Sequence, residues 1–247
     1  MPKFFVDNEQ IDNKTIRIIG KDVNHISNVL RHKVNDIIEI CNNDDGINYE
    51  ASIIEINKDN IICKIKSIKT NNSETNINIT LFQGLPKSDK MEYIIQKNVE
   101  IGIKRIIPVE MERCVAKLDE KNSKKKIERW KKISEVAAKQ SGRDIIPEIC
   151  DPISLKNVCE TISTYDIVLV AYENEKNNTL KSELKKLKTS KKLNIGIVIG
   201  PEGGIDQKEI SELIKHGAKT ITLGNRILRT ETASLVVLSD IIYEMEM

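Results

Sequence analysis

Apolar and polar positions alternate in short runs over the first seventy residues, the period-two pattern of half-buried strands. Residues 4–6, 15–19, 37–41, 49–56 and 61–68 read as five strands. The segments NNDDG and NKDN between the later runs are rich in residues that accept tight or left-handed backbone. One helical stretch at 22–32, with Asp22 as its expected N-cap, interrupts the strands. The pattern suits a small β-barrel over 1–70. The polar run KTNNSET at 69–75 has no periodicity and places a linker at 71–76.

From residue 77 the period changes. Strands at 77–82, 105–109, 167–171, 195–199 and 220–223 alternate with helices at 89–101, 123–140, 180–187, 206–216 and 230–245. The first helix puts Met91, Ile94, Ile95 and Val99 on one face and meets a stop at Gly102. Alternation of this kind implies right-handed crossovers and a mostly parallel sheet covered on both faces. The fold class is therefore α/β over 77–247, and ligands of such sheets sit beyond the carboxyl ends of the strands.

Composition narrows the function without naming it. The 247 residues suffice for two domains, with 39% hydrophobic and 31% charged residues. A formal charge of +2 is too small for a global polyanion-binding field, so any RNA contact must come from local patches. Five cysteines with no C-x-x-C pair fit reduced thiols rather than a disulfide framework or zinc site, and the three histidines add no metal motif. No apolar leader or bilayer-length stretch is present, which points to a cytoplasmic protein.

Two loops could carry chemistry. In Ile199-Gly200-Pro201-Glu202-Gly203-Gly204 a buried strand enters a glycine-rich turn, and Asp206 with Glu209 forms an acidic capping box for the following helix. The spacing matches neither phosphate-binding glycine motif, and Glu202 would repel a phosphate, so a neutral or cationic ligand suits the turn better. A tight strand-to-helix turn with no ligand is the plain alternative. In Leu223-Gly224-Asn225-Arg226-Ile227-Leu228-Arg229-Thr230-Glu231 two arginines precede a helix whose expected N-cap is Thr230. They could meet an RNA phosphate, or pair with Glu231 or Glu202 at the surface.

Residues 121–143 carry nine Lys or Arg against Glu128 and Glu135. Ile127, Trp130, Ile133 and Ala137 recur at helical spacing and read as core, which assigns Trp130 to packing rather than base stacking. Lys124, Lys125 and Lys126 either form a solvated face or follow an RNA backbone, as could Arg31 beside the first-domain helix. His25 reads as a packed histidine.

Several segments, in order along the chain, resemble one family. HISNVLR from His25, QGLPKSDKMEYIIQKNVEIG at 83–102, ERC at 112–114 and WKKISEVAAKQSGR at 130–143 precede IGPEGG at 199–204 and LGNRILRTETA at 223–233. Together they are similar to the ribosomal RNA small subunit methyltransferase E family. The resemblance implies a PUA-like barrel, then a SPOUT domain with a trefoil knot, a homodimer, and S-adenosylmethionine as cofactor. It implies methylation of N3 of a uridine in the decoding region of 16S ribosomal RNA within the small subunit, with no metal. By the same resemblance Ile199, Gly200, Pro201, Glu202, Gly203, Leu223, Gly224, Ile227 and Leu228 would hold the cofactor. Arg229 would act on the base electrostatically, and Glu231 as base or as the group orienting Arg229. Arg31, Lys124, Lys125, Lys126, Arg143 and Arg226 are the candidate RNA contacts. Ser88 and Asn35 stand where the family often has Gly, and Asn225 where it often has Pro. The rival reading is a non-catalytic RNA-binding protein of ribosome assembly.

Overall fold

The computed structural model describes residues 3–69, 73–116, 120–187 and 192–246. They divide into two compact units, Met1–Glu74 with Ala138–Ile146, and Thr75–Ala137 with Pro147–Met247. Of the linker expected at 71–76, residues 71 and 72 lie outside the described residues.

The first unit is a five-stranded sheet of β1 (Lys3–Val6), β2 (Thr15–Ile19), β3 (Ile37–Asn42), β4 (Asn48–Ile56) and β5 (Asn60–Lys69), in the order β1-β3-β4-β5-β2. Only the β1–β3 ladder is parallel. Alternate residues of all five strands, among them Phe4, Ile16, Ile40, Ile53 and Ile61, enter one common core, as the period-two pattern requires. The helix expected at 22–32 is shorter and mixed. α1 (Lys21–Asn24) runs into a π-turn over His25–Val29, closed by the Leu30 N–H bonding to the His25 carbonyl, and Arg31 ends it at φ 57°. Gly20 rather than Asp22 takes the cap position, because Asp22 is buried and its carboxylate faces Lys139. His25 is exposed instead of packed, with its ring edge-on to Phe4.

Residues 138–146 complete this unit. Asp144 accepts hydrogen bonds from Lys3, Asn48 and Ser73, and burial raises its carboxyl pKa less than these donors lower it. Arg143 is 3% exposed, and its guanidinium lies 2.6 Å from Glu74. An arginine held inside in this way presents nothing to RNA, which corrects the expectation of an RNA contact at this position.

The second unit carries β6 (Asn78–Gly84), α2 (Lys90–Ile101), β7 (Arg105–Glu110), α3 (Glu120–Ser141, its last turn assigned to the first unit), β8 (Glu148–Ile149), β9 (Ile153–Ser154) and α4 (Leu155–Thr161). After these come β10 (Ile167–Ala171), α5 (Leu180–Leu184), β11 (Asn194–Ile199), α6 (Gln207–Lys215), β12 (Lys219–Ile221) and α7 (Thr230–Glu246). The sheet order is β12-β10-β11-β6-β7-β8, with β9 also on β7, and every ladder is parallel. Met91, Ile94, Ile95 and Val99 are buried, and Gly102 ends α2 at φ 128°, a conformation only glycine adopts freely. Trp130 and Ile127 are buried as core, while Lys124, Lys125 and Lys126 are exposed. The periodicity missed β8, β9 and α4, which are too short to show a period, although Ser154 caps α4 by accepting from the Asn157 N–H.

Candidate active site

Because β12, β10 and β11 are adjacent and parallel, the segments that follow them emerge at one end of the sheet. Together they line a cavity of about 1010 Å³. All nine residues expected to hold a cofactor line it, and so do Arg226, Arg229 and Thr230. The two glycine-containing loops, separated in the chain by α6 and β12, are thus brought to one space.

The first loop has almost no room for side chains. A Cβ on Gly200 would stand 2.8 Å from Ile205, and one on Gly84, at the end of β6, 2.7 Å from the Pro201 backbone nitrogen. Gly204 turns at φ 72°, and a Cβ there would strike the Glu173 carboxylate at 2.8 Å. Arg113 holds the outside of the loop by donating to the Gly203 carbonyl at 3.2 Å and to Asp206 at 3.1 Å. The expected capping box is formed, since Asp206 accepts from the Lys208 N–H and Glu209 accepts from the Asp206 N–H.

Glu202 lines the cavity with its carboxylate already engaged. Its carboxylate accepts from the Lys87 N–H and from Lys90, whose Nζ lies 3.0 Å away. Burial raises the carboxyl pKa, but the bonds from its own backbone, Lys90 and Lys87 bring it below the ordinary value. Lys90 also lies 3.3 Å from Glu231 and lines the cavity. Sequence reasoning passed over this lysine, whose only signal was its place two residues past the Pro86-Lys87-Ser88 turn. Of the carboxylates that line the cavity, Glu173, on the loop after β10, is the one without a partner among the described residues. It adds an unpaired negative charge to a cavity that Glu202 also lines. Glu175 on the same loop accepts from the Asn177 N–H, the Thr220 hydroxyl and the Asn178 N–H, which depress its pKa to about 2.

In the second loop neither Arg226 nor Arg229 has an ion-pair partner among the described residues, so the expected alternative of surface pairing with Glu202 or Glu231 is not what these arginines do. Ile227 between them is 87% exposed. Thr230 is the first helical residue rather than the cap; the Arg229 carbonyl accepts from the Thr232 and Ala233 N–H groups. Glu231 is 16% exposed at its side chain, outside the cavity lining, and its ion-pair partner is Lys90.

Family models match both parts of the chain, an RNA methyltransferase PUA domain at 18–66 and an RNA methyltransferase domain at 73–242. A ribosomal RNA small subunit methyltransferase E from Bacillus subtilis is 38% identical over 100% of this chain and 98% of its own length. This chain belongs to the ribosomal RNA small subunit methyltransferase E family. A crystal structure of that methyltransferase from Neisseria gonorrhoeae, bound to S-adenosyl methionine, is similar at 29% identity and a TM-score of 0.82, covering 99% of this chain and 98% of its own. A putative methyltransferase from Legionella pneumophila in complex with the same cofactor is 28% identical, with a TM-score of 0.81 over 98% and 97%.

The cavity fits the cofactor bound in those relatives. It combines glycines that let a ligand lie against the backbone with an unpaired carboxylate, Glu173, suited to a cationic ligand. Among the described residues no group of three or more His, Cys, Asp or Glu is placed to hold a metal. No helix among them is long and apolar enough to cross a membrane. Arg31 and the Lys124, Lys125 and Lys126 group are exposed, and none of the four lines the cavity.

Proposed function

We propose that this S-adenosylmethionine-dependent ribosomal RNA methyltransferase methylates N3 of a uridine in the decoding region of 16S ribosomal RNA, in the cytoplasm and as a homodimer. The observation that carries the reading is the convergence of the loops at 199–204 and 223–229 on one cavity that also receives an unpaired Arg229. In this reading the two loops belong to a trefoil knot, and the RNA is bound within the small subunit.

Ile199, Gly200, Pro201 and Gly203 would hold the cofactor from one side, and Leu223, Gly224, Ile227 and Leu228 from the other. Glu202 stiffens the first loop through Lys90. When bound, the cofactor supplies an electrophilic methyl: a bond from uridine N3 to that carbon forms as the carbon–sulfur bond breaks, the electron pair stays on sulfur, and the N3 proton goes to water. Arg229 stabilises the negative charge that grows on the base as the proton leaves. Holding N3 in line with the methyl contributes the rest, since alignment replaces an entropic barrier. Glu231 reaches the reaction through Lys90 and takes a positioning role. Arg226 meets a phosphate of the substrate strand, and Arg31 with Lys124, Lys125 and Lys126 guides the RNA backbone.

Mass-spectrometric mapping of modified uridines in 16S ribosomal RNA, with and without this protein, tests the assignment. The expected result is one N3-methyluridine in the decoding region that vanishes when the protein is removed. An unchanged map would leave the RNA-binding reading without catalysis. Calorimetry with S-adenosylmethionine then separates the two, because a purely RNA-binding protein has no use for the cofactor.

A further inference from the structure

The first turns of α7 direct two hydroxyl side chains inward, Thr230 and Ser234, four residues apart and so on one face of the helix. Thr230 is 6% exposed and Ser234 0%. Each is met by a buried amide from the β6–α2 segment. Gln83 Nε2 donates to Thr230 Oγ1 at 2.8 Å, and Asn98 Nδ2 donates to Ser234 Oγ at 3.1 Å. Thr230 Oγ1 in turn donates to the Gly200 carbonyl at 2.7 Å, which joins α7 to the first glycine loop.

The two amides are costly. Gln83 and Asn98 are fully buried, and the side-chain carbonyl oxygen of each has no hydrogen-bond partner among the described residues. Apolar residues of similar size would fill these places without a stranded oxygen, so stability alone does not explain the amides. Directional bonds do something that apolar packing cannot: they set the axial position and rotation of α7 against β6 and α2, where a greasy contact tolerates sliding. The N-terminus of α7 is the part of the helix that matters, since its first turn is bonded to the carbonyl of Arg229.

We propose that Gln83 and Asn98 are positioning residues for methyl transfer. By gripping Thr230 and Ser234 they fix where α7 begins, and hence where the Arg229 guanidinium stands relative to the loop at 199–204. The proposal rests on the reading of Arg229 given above.

The test uses the full chain, S-adenosylmethionine and small-subunit RNA lacking the modification. Asn98→Leu combined with Ser234→Ala removes one bond and its stranded oxygen together. The pair is expected to hold or raise Tm while kcat falls about tenfold or more and the cofactor Kd stays within about threefold. Thr230→Val should lower kcat in the same way, and Thr230→Ser, which keeps the hydroxyl, should restore it. Wild-type turnover is read first, because its absence would overturn the functional reading rather than this one. With the wild type active, an unchanged kcat in the double variant overturns the proposal. Parallel loss of Tm and kcat, with Ser no better than Val at 230, also overturns it by making these residues merely structural.

Discussion

Lys90 and Glu202 meet at 3.0 Å across two segments 112 residues apart, and the same ammonium reaches Glu231 at 3.3 Å. One cation at the start of α2 therefore ties the first glycine loop to the first turn of α7. Its own pKa is raised, by the Glu202 bond above all, so it stays charged throughout the neutral range.

Replacing Lys90 by Met leaves two carboxylates near each other with no counter-charge. The pair is partly solvated, so the loss is about 1 kcal/mol, or roughly fivefold in affinity. Calorimetry should show the S-adenosylmethionine Kd rising by about that factor with only a small change in Tm. A Kd equal to the wild type would remove Lys90 from the site.

Arg229→Ala should separate chemistry from binding. Loss of one preorganised donor to a developing anion lowers kcat by about 10²–10³-fold. Cofactor binding should survive, because the backbone and glycines of the two loops make that contact. Single-turnover methylation alongside calorimetry checks this, and near-normal turnover would exclude Arg229.

Glu175 makes a pH-dependent contribution to the loop after β10. Its folded pKa of about 2 lies below the ordinary 4.5, so the unfolded chain binds the proton more readily. The stabilisation is complete above pH 4.5 and is lost as the pH falls toward 2. Wild type should therefore be more stable than Glu175→Gln at pH 7, with the gap closing through that window in urea titrations. A gap independent of pH would show that the carboxylate charge contributes nothing.

Ser88 and Asn35 have φ angles of 55° and 78°. Both occupy the left-handed region, where a side chain other than Asn, Asp or Gly is strained. Ser88→Gly should stabilise the protein by about 0.5–1 kcal/mol, and Asn35→Gly by less, since Asn tolerates this conformation. Thermal denaturation reads both effects; a loss of stability at Ser88 would contradict the strain argument.

Basic residues on and just after α3 should divide by burial. Changing the exposed Lys124, Lys125 and Lys126 to Gln should weaken RNA binding and lower the salt slope by about 0.7–0.9 for each phosphate that is no longer neutralised. Arg143→Ala should instead lower Tm, because it empties a buried site and removes the guanidinium paired with the partly buried Glu74 carboxylate. If filter binding across salt concentrations shows no change for the triple variant, this face is only solvated.

The parallel sheet, the buried face of α2 and the positions of both loops were readable along the chain, because each is written in a local period or in a short motif next to a strand. β9 and α4 were not, being too short to have a period. The partners of Glu202 were not readable for a related reason: from sequence it is a lone carboxylate in a glycine turn, and the Lys87 N–H and Lys90 ammonium that engage it come from a distant segment. Glu173 could have been found only as an acidic residue just past a strand end, a signal too common to single out.

By itself the sequence determined which segments become strands and helices, which faces they bury and which family the chain resembles, since propensity, periodicity and motif are properties of neighbouring residues. Tertiary structure alone decided which charges are free and which are taken. Arg143, Glu202 and Glu231 became internal ion-pair partners while Arg229 and Glu173 stayed unpaired, because pairing depends on groups that only the folded chain brings within a few ångströms.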